Sequence, residues 1–216
     1  MEFRLTYEGP LLSNSERSAA VRRTRADNKQ EIRQAFHRQL KRLWQVTPML
    51  KRAAERPPAT PVRPGEARGV AWAQLRDTLG ETAEKYAMFG YRFVPLATHE
   101  LDLSCSVDVL LMRPESLGGV IQKSGDIDNG FKVVFDALSK PRTAAQLGRY
   151  ITPSDAEDPF FCLLEDDKLI TQASVQTDLM LEPLKGTEAL SSTDARVIVK
   201  VRLVPSNLSV QNAGFA

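Results

Sequence analysis

SCSVDVLLMR, residues 104–113, is the segment whose reading decides how this chain folds. Val107, Val109 and Leu111 alternate with Asp108, Leu110 and Met112, a period of two that predicts a strand. Leu110 and Met112 make its second side largely apolar too, so the strand belongs in the middle of a sheet. A glycine-containing loop follows at 114–124, and then GDIDNGFKVVFDAL, residues 125–138. There Phe131, Val134, Phe135 and Leu138 fall at i, i+3, i+4 and i+7, the apolar stripe of a helix that starts at or near Asp128.

Working outward, residues 3–7 read as a short strand closed by Gly9, Pro10 and a Ser13-Asn14 turn. Asp27 followed by Gln30 predicts a capping pair, and Ile32, Phe36, Leu40, Leu43 and Trp44 recur at helical spacing. A helix over 27–45 results, its outer face carrying Lys29, Arg33, His37, Arg38, Lys41 and Arg42. RPPATPVRPGEA, residues 56–67, holds four prolines and a glycine and cannot form regular structure. A second helix is expected over 71–88, ended by Phe89-Gly90, and a strand over 91–97. After Lys140-Pro141 come a short helical segment and a loop, and FFCLLEDDKLITQASV leads into a strand beginning near Lys168. A last strand over 196–204 stops at Pro205. These elements predict an α/β (α+β) fold in one domain over 1–216: a single mixed sheet of about four to five strands with flanking helices.

With 42% apolar and 26% charged residues, the 216-residue chain has the composition of a globular protein with one good core. No run approaches the roughly 18 apolar residues of a membrane span, and MEFRLTYEGP does not resemble a secretory signal. A cytoplasmic protein is expected. Residues 1–70 hold 15 Lys and Arg against 7 Asp and Glu, whereas the whole chain has a net charge of only +2. A basic front and an acidic rear suit a polyanionic partner held against a cation-binding site, although a solvated basic helix face has the same signature.

Cys105 and Cys162 lack any CxxC spacing, and His37 and His99 stand alone. A metal site here would be built from oxygen ligands, which favours magnesium or manganese over zinc. Asp126 and Asp128 enter a helix together, and like charges about 4 Å apart cost roughly 4 kcal/mol at an effective dielectric of about 20. A divalent cation between them relieves that repulsion. Asp166-Asp167, before another strand, offers a third carboxylate, and Lys132, one turn beyond Asp128, offers an ammonium group to a phosphate. Aspartate is also a favoured helix cap, and Lys132 can pair with Asp128 or Asp136 on its own helix. Gly130 and Phe131 stand where a calcium loop needs Asp or Asn and then Gly, and no GxxxxGK[ST] occurs. A nucleotidyltransferase also uses DxD, but it needs a Gly-Ser helix start upstream that this loop lacks in clear form.

Taken together, Asp126-Ile127-Asp128-Asn129, Lys132, Phe135-Asp136-Ala137-Leu138 and Asp166-Asp167 resemble the RusA family of Holliday junction resolvases in order and spacing. GPLLSNS after the first strand is similar to that family's proline and Ser-Asn turn. The resemblance implies that Asp126, Asp128 and Asp167 bind Mg2+, with Mn2+ as a substitute, and that Lys132 assists at the scissile phosphate. It also implies a small mixed α/β subunit acting as a homodimer on a four-way DNA junction. The chain departs from the family in longer segments at about 50–90 and 140–160, and QKSG, with only Lys123, replaces a basic run before the DxD. Expected DNA contacts are therefore Arg33, Lys41 and Arg42 of the basic helix, with Lys123 and Asn14. A DNA-binding module that keeps the fold without turnover is the competing expectation.

Overall fold

The computed structural model describes residues 1–12, 19–55, 78–114, 127–209 and 212–215, with side chains from Thr24 onward in the first helix and from Phe131 onward in the last one. In chain order the elements are β1 (Glu2–Pro10), α1 (Ala19–Val46), α2 (Pro48–Ala54), α3 (Leu79–Lys85), β2 (Ala87–Met88), β3 (Tyr91–Ala97), β4 (Leu103–Arg113), α4 (Ile127–Leu138), β5 (Phe160–Leu164), β6 (Ile170–Leu179) and β7 (Asp194–Pro205). Short 3-10 turns lie at Ala144–Leu147, Asp155–Glu157, Asp167–Leu169 and Ala213–Phe215. No helix among the described residues is long and apolar enough to cross a membrane.

The strands form two sheets, which corrects the single sheet expected. One has the order β1-β7-β4-β6, the other β2-β3-β5, and both are mixed. The reason lies in the edges of β4. Its whole length is hydrogen-bonded to antiparallel β7 on one side and to parallel β6 on the other, which leaves no edge for β3. The FFCLL segment of β5 is buried throughout and pairs in parallel with β3, Phe93 opposite Phe160 and Ala97 opposite Leu164. Continuous apolar runs of this kind suit parallel strands covered on both faces. Tyr91, Phe93 and Phe160 pack their rings about 5.5 Å apart between centroids and, with Leu147 and Cys162, form a small core of their own.

The main core lies under the four-stranded sheet. Val107, Val109 and Leu111 of β4 and Val197, Val199 and Val201 of β7 meet Ile32, Phe36 and Leu40 of α1 and Val134 and Leu138 of α4. The opposite sheet face carries ion pairs, Glu2 with Lys200 and Arg202 and Glu8 with Arg196. Helix α1 begins at Ala19, two turns before Asp27, so the expected Asp27 cap is corrected. Asp27 instead accepts the backbone N–H of Arg149 at 2.6 Å. The chain reaches it through Gly148, whose φ of +59° suits glycine and where a Cβ would lie 2.1 Å from the Asp27 carboxylate. The helix expected over 71–88 is described only as α3, and Phe89-Gly90, with φ of 52° and 82°, is a two-residue hairpin turn between β2 and β3.

The segment after Lys140 packs along α1, and this corrects the expected outer face of that helix at Arg33 and His37, while Arg38, Lys41 and Arg42 stay at the surface. Arg33 is only 1% exposed. Its guanidinium donates to the carbonyls of Asp136 (2.8 Å) and Ser139 (3.0 Å) at the end of α4 and to Gln30 Oε1 at 2.6 Å. A cation at a helix C-terminus satisfies carbonyls that the helix leaves unpaired and complements its dipole. Burial pulls the Arg33 pKa down to about 10, and it stays charged at neutral pH. His37 is also buried. Its Nδ1 accepts from the N–H of Phe161 (2.8 Å), its Nε2–H donates to the Ala156 carbonyl (3.2 Å), and its ring stacks on Phe160. Burial pushes its pKa below the usual imidazole value, in keeping with a neutral ring.

Arg33→Ala is expected to lower the unfolding free energy by about 3–5 kcal/mol, since three buried acceptors lose a charged donor. Urea denaturation measures it, and Arg33→Lys should recover only part of the loss because one ammonium cannot reproduce the planar fork.

Candidate functional site

Two neighbouring elements bring chemistry together. Helix α4 buries Phe131, Val134, Ala137 and Leu138, and so turns Lys132, exposed, and Asp136 toward one side. The turn Asp167–Leu169 immediately precedes β6. Between them lies an open cleft of about 460 Å3, with Lys132, Asp136 and Asp167 as its charged groups and Phe131, Phe135, Ile170, Ala173 and Val175 as its apolar lining. Lys132 and Asp167, 35 residues apart in sequence, thus face one space.

The side chains in this cleft have unequal partners. Asp136 forms its ion pair with Lys29 of α1, not with Lys132. Lys132 makes no ion pair or hydrogen bond among the described residues. Asp166 caps the turn by accepting the N–H of Lys168 at 2.9 Å, which, as the largest influence, draws its pKa below the usual carboxylate value. Asp167 shifts the other way: partial burial holds its carboxyl above the usual value, and the nearby Asp166 and Asp136 charges add to the effect. Arg142 counters them, since one guanidinium nitrogen bonds both Asp166 (3.0 Å) and Asp167.

Of the other expected site residues, Asp126, Lys123 and Asn14 lie outside the described residues. Asp128 is in the first turn of α4, one turn before Lys132, with its side chain outside the description. Among the described residues, no group of three or more His, Cys, Asp or Glu is placed to hold a metal. Arg33 is corrected from a DNA contact to a structural donor, because a guanidinium enclosed by Asp136, Ser139 and Gln30 cannot meet a phosphate. Lys41 and Arg42 remain on the surface of α1. Lys41 lies twelve residues from Lys29, about 18 Å further along the helix axis. Both thiols are buried, and burial pushes each up to about 12, away from metal-ligand or nucleophile chemistry.

Among the described residues the cleft offers two carboxylates, Asp136 and Asp167, both already paired with a basic side chain, so a divalent ion there would need Asp126 or Asp128 as well. Carboxylate oxygens are the ligands a hard cation takes, and Asp167 is partly open to solvent. Sequence reasoning missed Arg142, which stands between Pro141 and a helical turn with nothing in its spacing to tie it to residues 166 and 167. It also missed Lys29 as the partner of Asp136.

Arg142 and a bound metal would compete for the Asp167 carboxylate. Arg142→Gln is therefore expected to tighten Mn2+ binding, followed by electron paramagnetic resonance, about two- to fivefold, since an exposed ion pair contributes on the order of 0.5–1 kcal/mol. Unchanged or weaker binding would exclude that competition. Comparison with family models, curated proteins and solved structures finds no match, so the reading of this site rests on its own residues.

Proposed function

We propose that this chain is a metal-dependent endonuclease acting on branched DNA, with its site in the cleft between α4 and the start of β6. The single observation that carries the reading is that Lys132 and Asp167 line one cleft, Lys132 on a helix whose first turn contains Asp128. Asp126, Asp128 and Asp167 would hold Mg2+ or Mn2+. Such a cation, when bound, supplies an activated water and polarises the phosphodiester.

The remaining work falls to the chain's own side chains. Lys132, without a competing carboxylate partner among the described residues, steadies negative charge as it develops on the phosphate. Lys29 neutralises Asp136 and so prevents a further bare carboxylate from repelling DNA at the same cleft. Lys41 and Arg42 contact backbone phosphates away from the reacting bond, adding salt-dependent affinity without sequence preference. A homodimer suits this activity, since a two-fold four-way junction presents two related phosphodiesters. A cytoplasmic setting, where DNA and magnesium are both at hand, is part of the proposal.

One observation favours a second reading, a DNA-binding module without turnover: Arg142 already occupies the Asp167 carboxylate. An arginine in that place supplies charge but no activated water.

The two readings separate in one assay. A labelled four-way junction, a fork and a linear duplex are incubated with the protein in Mg2+ or in chelator. The nuclease reading expects cleavage of the branched substrates that chelator abolishes, and loss of about a hundredfold or more in rate on Lys132→Ala. Asp128→Asn and Asp167→Asn should still shift the junction in a gel without cutting it. Binding without cutting by the unaltered protein would support the module instead, and cutting that survives Asp167→Asn would rule out the proposed site.

A further inference from the structure

The four-stranded sheet ends in two edges, β1 and β6, and the chain treats them differently. β1 carries Glu2, Arg4 and Glu8, and Gln39 of α1 caps its backbone, accepting the Thr6 N–H at 2.9 Å and donating to the Thr6 carbonyl at 2.7 Å. Charges and a covering side chain are ordinary means by which an edge strand avoids pairing with another chain. β6 has neither. Its sequence, ITQASVQTDL, holds no lysine, arginine, proline or glycine, and Asp178 is its single charge. One side of its backbone is bonded to β4. On the other side no backbone N–H or C=O from 171 to 178 has a partner among the described residues, and every residue from Thr171 to Gln176 is exposed.

The apolar face of the sheet also runs out uncovered at this strand. Ala173 and Val175 lie in register with Val107 and Val109 of β4 and so share their face. Val109 is 3% exposed beneath the helices, whereas Val175, one strand further out, is 37% exposed. An open ladder with an apolar strip beside it is a template for one more strand.

The charges at its two ends say which strand. Lys168, just before β6, and Asp178, near its end, are both exposed, and neither forms an ion pair among the described residues. A parallel copy of β6 in register would set like charges side by side. Lys168 and Asp178 lie five residues to either side of Ala173, so a two-fold axis there places Lys168 of each copy opposite Asp178 of the other. Opposite charges across a strand pair are favourable and like charges are not, and an interface about a two-fold axis must be self-complementary in this way.

We infer that β6 is the interface between two copies of this chain, pairing antiparallel with itself about an axis at Ala173, so that two four-stranded sheets join into one of eight. The inference rests on the reading of the chain as a homodimer and deepens it by naming the surface. It also sets the partner strand along the open side of the candidate cleft, since Ala173 and Val175 line that cleft.

Sedimentation equilibrium of the full chain, in chelator and without DNA, tests it. The unaltered protein should have the mass of two chains. Ala173→Glu, which faces two carboxylates across the axis, should raise the dimer dissociation constant tenfold or more, by rough estimate. Lys168→Glu and Asp178→Lys should each raise it about tenfold, because each acts at two symmetric contacts, and the two together should restore the dimer. These side chains are exposed, so the circular dichroism of the fold should stay the same. Ala173→Cys should cross-link to its own copy on mild oxidation, since residues directly opposite in an antiparallel pair lie roughly 4.5–5.5 Å apart between Cα atoms, within disulfide reach. Thr6→Cys at the capped edge should not, and Cys105 and Cys162 are buried. A monomer at every concentration, a dimer that survives Ala173→Glu with Ala173→Cys unlinked, or a charge exchange that fails to restore the dimer overturns the inference. A monomer that still cuts branched DNA would remove the interface alone. A dimer that responds as expected but does not cut would remove the nuclease reading alone.

Discussion

A buried guanidinium governs the arrangement of this molecule. Arg33 sits within the core and spends its donors on the last carbonyls of α4 and on a neighbouring glutamine of its own helix. Hydrophobic contact between α1 and α4 would tolerate sliding; three directional charge-assisted bonds do not. The pairing of Lys29 with Asp136 one turn away adds a second fixed point. Once α4 is docked this way, Lys132 and Asp136 face the start of β6, and Asp167 comes to them from the turn that precedes that strand. The placement of the candidate site thus follows from a charge placed in the interior.

The division into two sheets has a functional consequence as well. With β3 and β5 withdrawn from the main sheet, β5 packs beside α1, and the chain before it runs back over that helix through Arg149, Tyr150 and Ala156. The helix is therefore covered on more sides than an amphipathic surface helix. In its second half the cationic character survives in Arg38, Lys41 and Arg42, at the end away from Asp136. Lys41 and Arg42 stand there on a ridge between two hollows, whereas Lys29 pairs with Asp136 and Arg33 is enclosed.

Much of the local structure was legible. The alternation in 104–113 marks a strand enclosed by neighbours on both edges, and the stripe from Phe131 to Leu138 marks the buried side of α4, because periodicity reports burial directly. The orientation of α1 was not. Arg33 and His37 read as solvent-facing because long polar side chains usually are, and their burial depends on acceptors at 136, 139 and 156, more than 100 residues away in sequence. FFCLL was passed over as a lead-in to a strand because five apolar residues have no period, and only its pairing with β3 makes it one. Lys132 and the pair Asp166-Asp167 were singled out from their local setting, and Lys132 and Asp167 do line one cleft; Arg142 was not singled out, since an isolated arginine carries no positional signal. Trp44 reads from spacing as core, and it is core; that its indole nitrogen has no partner among the described residues becomes visible only in three dimensions.

The account stands or falls on whether the carboxylates at the head of α4 and the one before β6 share a cation. A crystal of the protein grown with Mn2+ and measured for anomalous scattering would answer this directly. The account predicts a manganese peak within about 2.0–2.3 Å of carboxylate oxygens of both Asp128 and Asp167, with Arg142 moved off Asp167. Manganese bound elsewhere, or Asp167 still held by Arg142 with no metal beside it at saturating Mn2+, would contradict it.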